Sequence, residues 1–131
     1  MSSEAVILKP ACIKTLSAVE ARPERSNQHE FNGVQQLKEI FGLYEFERTA
    51  IFSVRGENIS ELVKVTWYDA RSNHPVRSEF RLYFQTNRVM QQAREGDNII
   101  IGFDKEYRLH LILIPSGAKG FRFNVDGWEY I

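Results

Sequence analysis

The chain has a single cysteine, Cys12, so no disulfide can form within it and no Cys-x-x-Cys pair exists to hold zinc. Between Ala11 and Ile13, this thiol is expected to be a small buried hydrophobe, and a reducing, cytoplasmic setting fits such use. Long apolar runs are missing as well. None approaches the ~18 residues of a membrane span, and Met1-Ser2-Ser3-Glu4 lacks the basic and apolar regions of a signal peptide, so no membrane insertion or secretion is expected. His29, His74 and His110 lie too far apart for zinc-ligand spacing, and neither metal nor other cofactor is expected. The sequence contains no Gly-rich phosphate loop, no Gly-x-Ser-x-Gly elbow and no His-Glu-x-x-His, which removes the usual signatures of nucleophilic and nucleotide-dependent catalysis. An excess of one charge is lacking too. With 17 basic and 17 acidic residues the net charge is zero, so attraction to a polyanion must come from local distribution.

What the sequence does have is core material. Its 131 residues are 43% hydrophobic and include nine Phe, five Tyr and two Trp, enough for one self-sufficient domain spanning residues 1–131. Ile13 to Ala21 reads as a strand that ends at Arg22-Pro23. Val34, Leu37, Ile40 and Phe41 recur at helical spacing and Gly42 stops the pattern, which predicts a short amphipathic helix. Strands are expected over Thr49 to Val54, Leu62 to Tyr68 and Phe80 to Phe84, the last two as arms of one long hairpin with a polar tip near Asn73, His74 and Pro75. A second short helix is expected within Asn87 to Arg94. Asn98 to Phe103 and Leu109 to Ile114 read as strands buried on both faces, with His110 as a satisfied structural histidine. The order indicates a mainly β fold with short helices, a mixed barrel rather than a doubly wound sheet.

Two polar segments are not accounted for as core or turn: residues 22–30 and 71–81. The second holds Arg71, Arg77 and Arg81 against Glu79 alone, whereas residues 95–106 carry four acids against one lysine. Both segments are rich in side chains suited to base edges: arginine donates twice to guanine, asparagine and glutamine pair with adenine, and glutamate accepts from the cytosine amino group. Candidate DNA contacts are Arg22, Arg25, Ser26, Asn27, Gln28 and His29 in the first segment, and Arg71, Asn73, Arg77, Ser78, Glu79 and Arg81 in the second. A purely electrostatic partner would not call for Asn27, Gln28 and Glu79 among the arginines.

Lys14-Thr-Leu-Ser-Ala18, Asn32-Gly33 before a helix ending Ile40-Phe41, Trp67-Tyr-Asp-Ala-Arg71 and Arg77-Ser-Glu-Phe-Arg81 together resemble the N-terminal effector domain of EcoRII-type restriction endonucleases, over roughly residues 12–115. The resemblance implies the DNA-binding pseudobarrel shared with plant B-three domains, an open seven-stranded barrel with two short helices. It implies also that two loops, an N-arm at 22–30 and a C-arm at 71–81, embrace the major groove of a CCWGG-like site. The family's Arg-x-Glu-x-Arg arrangement stands here as Arg77, Glu79 and Arg81, implying that Glu79 accepts from cytosine while the arginines donate to guanine or phosphate. In the N-arm, the family's His and Tyr five residues apart correspond either to His29 and Val34 or, in another register, to Arg25 and His29. Phe80 occupies a position where the family can place a basic residue.

The expectation is therefore a non-catalytic, monomeric recognition domain for double-stranded DNA, with cleavage assigned to a separate nuclease domain absent from this chain; the ending Gly127-Trp-Glu-Tyr-Ile131 reads as a truncation as much as a natural terminus. Two alternatives stay open. One is a protein-interaction module whose polar arms contact another subunit. The other is a Mg²⁺-dependent nuclease using Asp97, Asp104, Lys105 and Glu106, although these carboxylates flank a buried strand as turn residues do.

Overall fold

The computed structural model describes residues 7–21, 30–71, 78–123 and 125–131. Its elements run β1 (Ala11–Thr15), α1 (Ala18–Ala21), β2 (Glu30–Asn32), α2 (Gln35–Phe41), β3 (Phe46–Val54), β4 (Ser60–Asp69), β5 (Phe80–Phe84), α3 (Arg88–Gln91), β6 (Asn98–Phe103), β7 (Leu109–Ile114) and β8 (Glu129–Tyr130). All eight strands join one sheet in the order β2-β5-β4-β3-β7-β6-β1-β8, antiparallel except for the parallel pair β3 and β7. The fold is mainly β, as expected, with eight strands and three short helices among the described residues against the seven and two anticipated.

The two apolar runs predicted to be buried on both faces form neighbouring strands of this sheet, β6 and β7, and every residue in them is buried. Alternate side chains serve two cores. Ile99, Ile101, Phe103, Leu109, Leu111 and Leu113 face the main one, together with Phe31, Phe52, Trp67, Leu82 and Phe84. Ile100, Ile112 and Ile114 face a smaller one on the opposite side, where Val125, Ala118 and Phe121 from the segment after β7 cover them. That cover explains why these strands lack the polar alternation of a half-exposed sheet.

The sheet curls until its two ends approach. Phe31 on β2 meets Trp128, just before β8, edge to face at 5.7 Å. Helix α2 spans the gap between these ends: Leu37 and Ile40 enter the main core, Gln36 Nε2 donates to the Trp128 carbonyl at 2.8 Å, and the Tyr130 hydroxyl donates to Glu39 at 2.6 Å. Gly42 ends the helix with φ 86°, its N–H donating to the Lys38 carbonyl. No helix among the described residues is long and apolar enough to cross a membrane.

One predicted element is corrected. The expected strand over 13–21 stops at Thr15 and is followed by α1. Ser17-Ala-Val-Glu20 forms a reciprocal capping box, in which Ser17 N–H donates to Glu20 Oε1 at 3.0 Å and Glu20 N–H to Ser17 Oγ at 3.3 Å. A further ion pair from Lys14 to Glu20, at 2.9 Å, closes the turn. Strands β2 and β8 are too short to give a periodic signal and were not expected.

Candidate functional site

Strand β2 begins at the last residue of the first polar segment, and β5 takes in Phe80 and Arg81 at the end of the second. The two strands are antiparallel neighbours, with Glu30 opposite Tyr83, Phe31 opposite Leu82 and Asn32 opposite Arg81. Phe31, Phe80, Leu82 and Phe84 point into the core. Alternation therefore turns Glu30, Arg81 and, on β4, Tyr68 to the outer face.

The C-arm is pinched at its base. Asp69 Oδ1 accepts the N–H of Arg71 at 2.9 Å and the N–H of Glu79 at 2.7 Å, and Ala70 N–H donates to the Glu79 carbonyl at 2.8 Å. The Asp69 N–H donates in turn to Glu45 Oε2 at 2.7 Å, which ties the neck to the start of β3. With the Glu79 and Arg71 amides on its oxygen, Asp69 is held below the usual carboxylate range.

Above this neck an ion-paired chain crosses from one segment to the other. Glu79 accepts from Arg71 Nε at 3.2 Å through Oε1 and from Arg81 Nη2 through Oε2; the Arg81 and Arg71 guanidinium groups lower its pKa. Arg81 Nη1 reaches Glu30 Oε1 at 3.3 Å, and Glu30 Oε2 accepts from the Tyr68 hydroxyl. Burial, then the bond to Glu30, pushes the Tyr68 phenol up to about 12. Arg81 has its two terminal nitrogens on carboxylates and its Nε buried with no partner among the described residues, so its guanidinium faces the protein.

Of the residues singled out from sequence, the structure brings together Arg71, Glu79 and Arg81, with Ser78 exposed beside them. Arg22, Arg25, Ser26, Asn27, Gln28, His29, Asn73 and Arg77 lie outside the described residues, as do His74 and Pro75 of the expected hairpin tip. Sequence reasoning passed over Glu30, Tyr68, Asp69 and Glu45. An aspartate two residues before Arg71, at the end of a strand, is an Asx-turn signal that was there to be read. The pairing of Tyr68 with Glu30 had no local signal, because it crosses 38 positions.

Close approach fixes the joint between β2, β5 and α2. Gly33 N–H donates to the Phe80 carbonyl at 2.7 Å, and a Cβ on Gly33 would lie 2.5 Å from that oxygen and 2.7 Å from Trp67 Cη2. Trp67 is stacked on Phe80 at 5.1 Å, tilted against Phe41 at 5.1 Å, and anchored by Nε1 to the Gly42 carbonyl at 3.0 Å.

The carboxylates considered for a nuclease are occupied by turn and side-chain donors. Asp97 accepts from the N–H of Arg94 at 2.9 Å and of Ser116 at 3.0 Å. Asp104 accepts from the N–H groups of Glu106 and Arg108, from Arg108 Nε and from His110 Nε2, the last at 2.8 Å. Burial opposes its ionisation, but these donors outweigh that and hold Asp104 well below the ordinary carboxylate range. His110 is thus a buried, partnered histidine. Among the described residues no group of three or more His, Cys, Asp or Glu is placed to hold a metal ion. Cys12 is fully buried, and burial raises its thiol to about 12.

Comparison with protein-family models, with curated proteins and with solved structures returns no match for this chain.

Proposed function

We propose that the protein is a sequence-specific double-stranded DNA-binding domain, of the pseudobarrel kind, that reads a short CCWGG-like site with the 22–30 and 71–81 segments as paired arms. The observation that carries this reading is the Arg81–Glu30 ion pair across adjacent strands: the base of the C-arm and the end of the N-arm rise from one outer face, joined side chain to side chain. Arms rooted on opposite faces could not meet the same base pairs.

The root cluster refines the division of labour. Glu79 keeps acceptor capacity, since each carboxylate oxygen has two lone pairs and only one arginine contact. It can hold Arg71 and Arg81 while accepting from a cytosine amino group. Arg81, turned to Glu30 and Glu79, acts as a positioning residue that sets the spacing of the arms. Donors to guanine and phosphate then come from farther along the arms, with Arg25 and Arg77 as the first choices.

The test is a mobility-shift titration of specific and scrambled duplexes at one moderate salt concentration, because phosphate-only binding does not discriminate between them. Preference for the specific duplex is expected. Arg81→Ala is expected to weaken it by about 1–3 kcal/mol, and Glu79→Gln to relax discrimination at one base pair. Equal affinity for both duplexes, or wild-type behaviour of both variants, overturns the reading. The acidic surplus of the root, where Glu30, Asp69 and Glu79 face Arg71 and Arg81, favours as second reading a protein partner bound by the same arms. Light scattering after size exclusion with candidate partners, together with the absence of any DNA shift, would support it.

A further inference from the structure

At the open end of the curled sheet, beside the neck of the C-arm, lies a cavity of about 440 Å³ lined by Ile40, Phe41, Phe46, Glu47, Arg48, Phe103 and Tyr107. Its size is in the range of small-molecule sites, which commonly occupy the mouths of barrels. The geometry points to this mouth as a binding site for a nucleobase, meaning a planar heteroaromatic ring with carbonyl acceptors.

Three observations carry it. First, the walls are aromatic: Phe41 meets Phe46 and Phe103 edge to face at 5.5 and 6.0 Å, and the buried Phe103 backs Tyr107 at 4.5 Å with the rings 9° from parallel, so that the exposed Tyr107 is the ring placed to stack. Aromatic walls of this kind accept any base by stacking. Second, Arg48 sits at an inward position of β3, in phase with the buried Ala50 and Phe52. Its guanidinium lies 5.2 and 5.5 Å from the Phe103 and Tyr107 ring centres, donates to the Tyr107 carbonyl at 2.9 Å, and has no carboxylate within 4.0 Å among the described residues. The carboxylate of Glu47, which also borders the cavity, pairs with Lys64 at 3.7 Å and not with Arg48. An uncompensated cation among aromatic rings suits a ring with acceptor atoms; a cation would be repelled, and an aliphatic ligand would desolvate Arg48 without a bond in return. Third, Tyr107 is the one described residue other than glycine with positive φ, at 65°. Asp104 fixes this turn through its carbonyl, which accepts Tyr107 N–H at 2.9 Å, and Tyr107 as a whole stays 66% exposed at the rim. Glycine or asparagine would satisfy the backbone there, so a strained tyrosine points to use of its ring.

The inference goes beyond the arms and requires no residue of 22–29 or 72–77; duplex binding can fail while the mouth binds, and the reverse. The ring can come from a free nucleotide or from a base presented by a strand. The ¹⁵N-labelled full chain is titrated with nucleoside monophosphates and, separately, with a short single-stranded oligonucleotide. Saturable shifts centred on Arg48, Phe103 and Tyr107 are expected with at least one probe. A mononucleotide response assigns a free-nucleotide ligand, and a response to the strand alone assigns a base within a polymer. Both Tyr107→Gly, whose backbone accepts this conformation, and Arg48→Gln are expected to weaken binding about tenfold or more while the spectrum stays dispersed. No saturable shift up to about 10 mM of either probe, shifts confined to Arg71, Glu79 and Arg81, or wild-type binding by both variants overturns the proposal.

Discussion

Replacing Gly33 with alanine tests whether the joint between the two arm roots is as tight as its distances imply. The backbone of Gly33 has no positive φ, so the substitution carries no conformational penalty of the left-handed kind and its cost is steric. The new methyl would fall 2.5 Å from the Phe80 carbonyl oxygen and 2.7 Å from Trp67 Cη2. Neither neighbour can yield freely. The carbonyl is backbone at the start of β5, and the indole is clamped between Phe80 and Phe41 and bonded to the Gly42 carbonyl. Overpacking of this kind costs about 1–3 kcal/mol. Losing the 2.7 Å bond from Gly33 N–H to Phe80 adds about 1 kcal/mol, for a total of about 2–4 kcal/mol. For a domain of this size that lowers Tm by roughly 10 °C. Urea unfolding followed by tryptophan fluorescence reads the change, with Gly56→Ala as comparison: φ there is 84° and nothing lies within 4 Å, so only the backbone cost of about 1–2 kcal/mol applies. A Gly33→Ala loss below about 0.5 kcal/mol, or one no larger than that of Gly56→Ala, refutes the reasoning.

Other consequences are as direct. Cys12, buried and with its thiol raised to about 12, is expected to resist alkylation in the native protein at pH 8 and to react at once in denaturant; fast native labelling would contradict its burial. Asp104 has a folded pKa below its unfolded value of ~3.9, so its contribution to stability is present above that value and fades as pH falls through the folded one. The stability gap between wild type and Asp104→Asn should accordingly stay wide from pH 7 down to about 4 and close only as pH falls further, as measured by urea midpoints from pH 7 to about pH 2. Tyr107→Gly relieves backbone strain of order 1–3 kcal/mol while removing the stack on Phe103, so its Tm should lie close to or above that of wild type; a large fall would show that the tyrosine is held for stability.

Periodicity and composition were sufficient for much of the scaffold. The apolar runs at 98–103 and 109–114 read as strands covered on both faces, Leu37, Ile40 and Phe41 as one helix face, and a lone cysteine among apolar residues as buried; each is a local pattern read against a known period, whereas Val34, counted on the same face, is the exposed N-cap ahead of the helix. The Ser17-x-x-Glu20 capping box was equally local and was missed because β-compatible residues around it suggested a strand. Beyond that reach lay everything made by pairing across distance. Apart from the hairpin of β4 and β5, which the sequence did indicate, which strands would be neighbours, that β2 would lie against β5, that Arg81 would turn from solvent to Glu30, and that Arg48 would end among aromatic rings at an open mouth were decided by the curl of the sheet. The physical reason is that side-chain alternation tells which residues share a face of a strand but carries no information about the strand that will stand beside it; loop closure and core filling choose that partner for the chain as a whole.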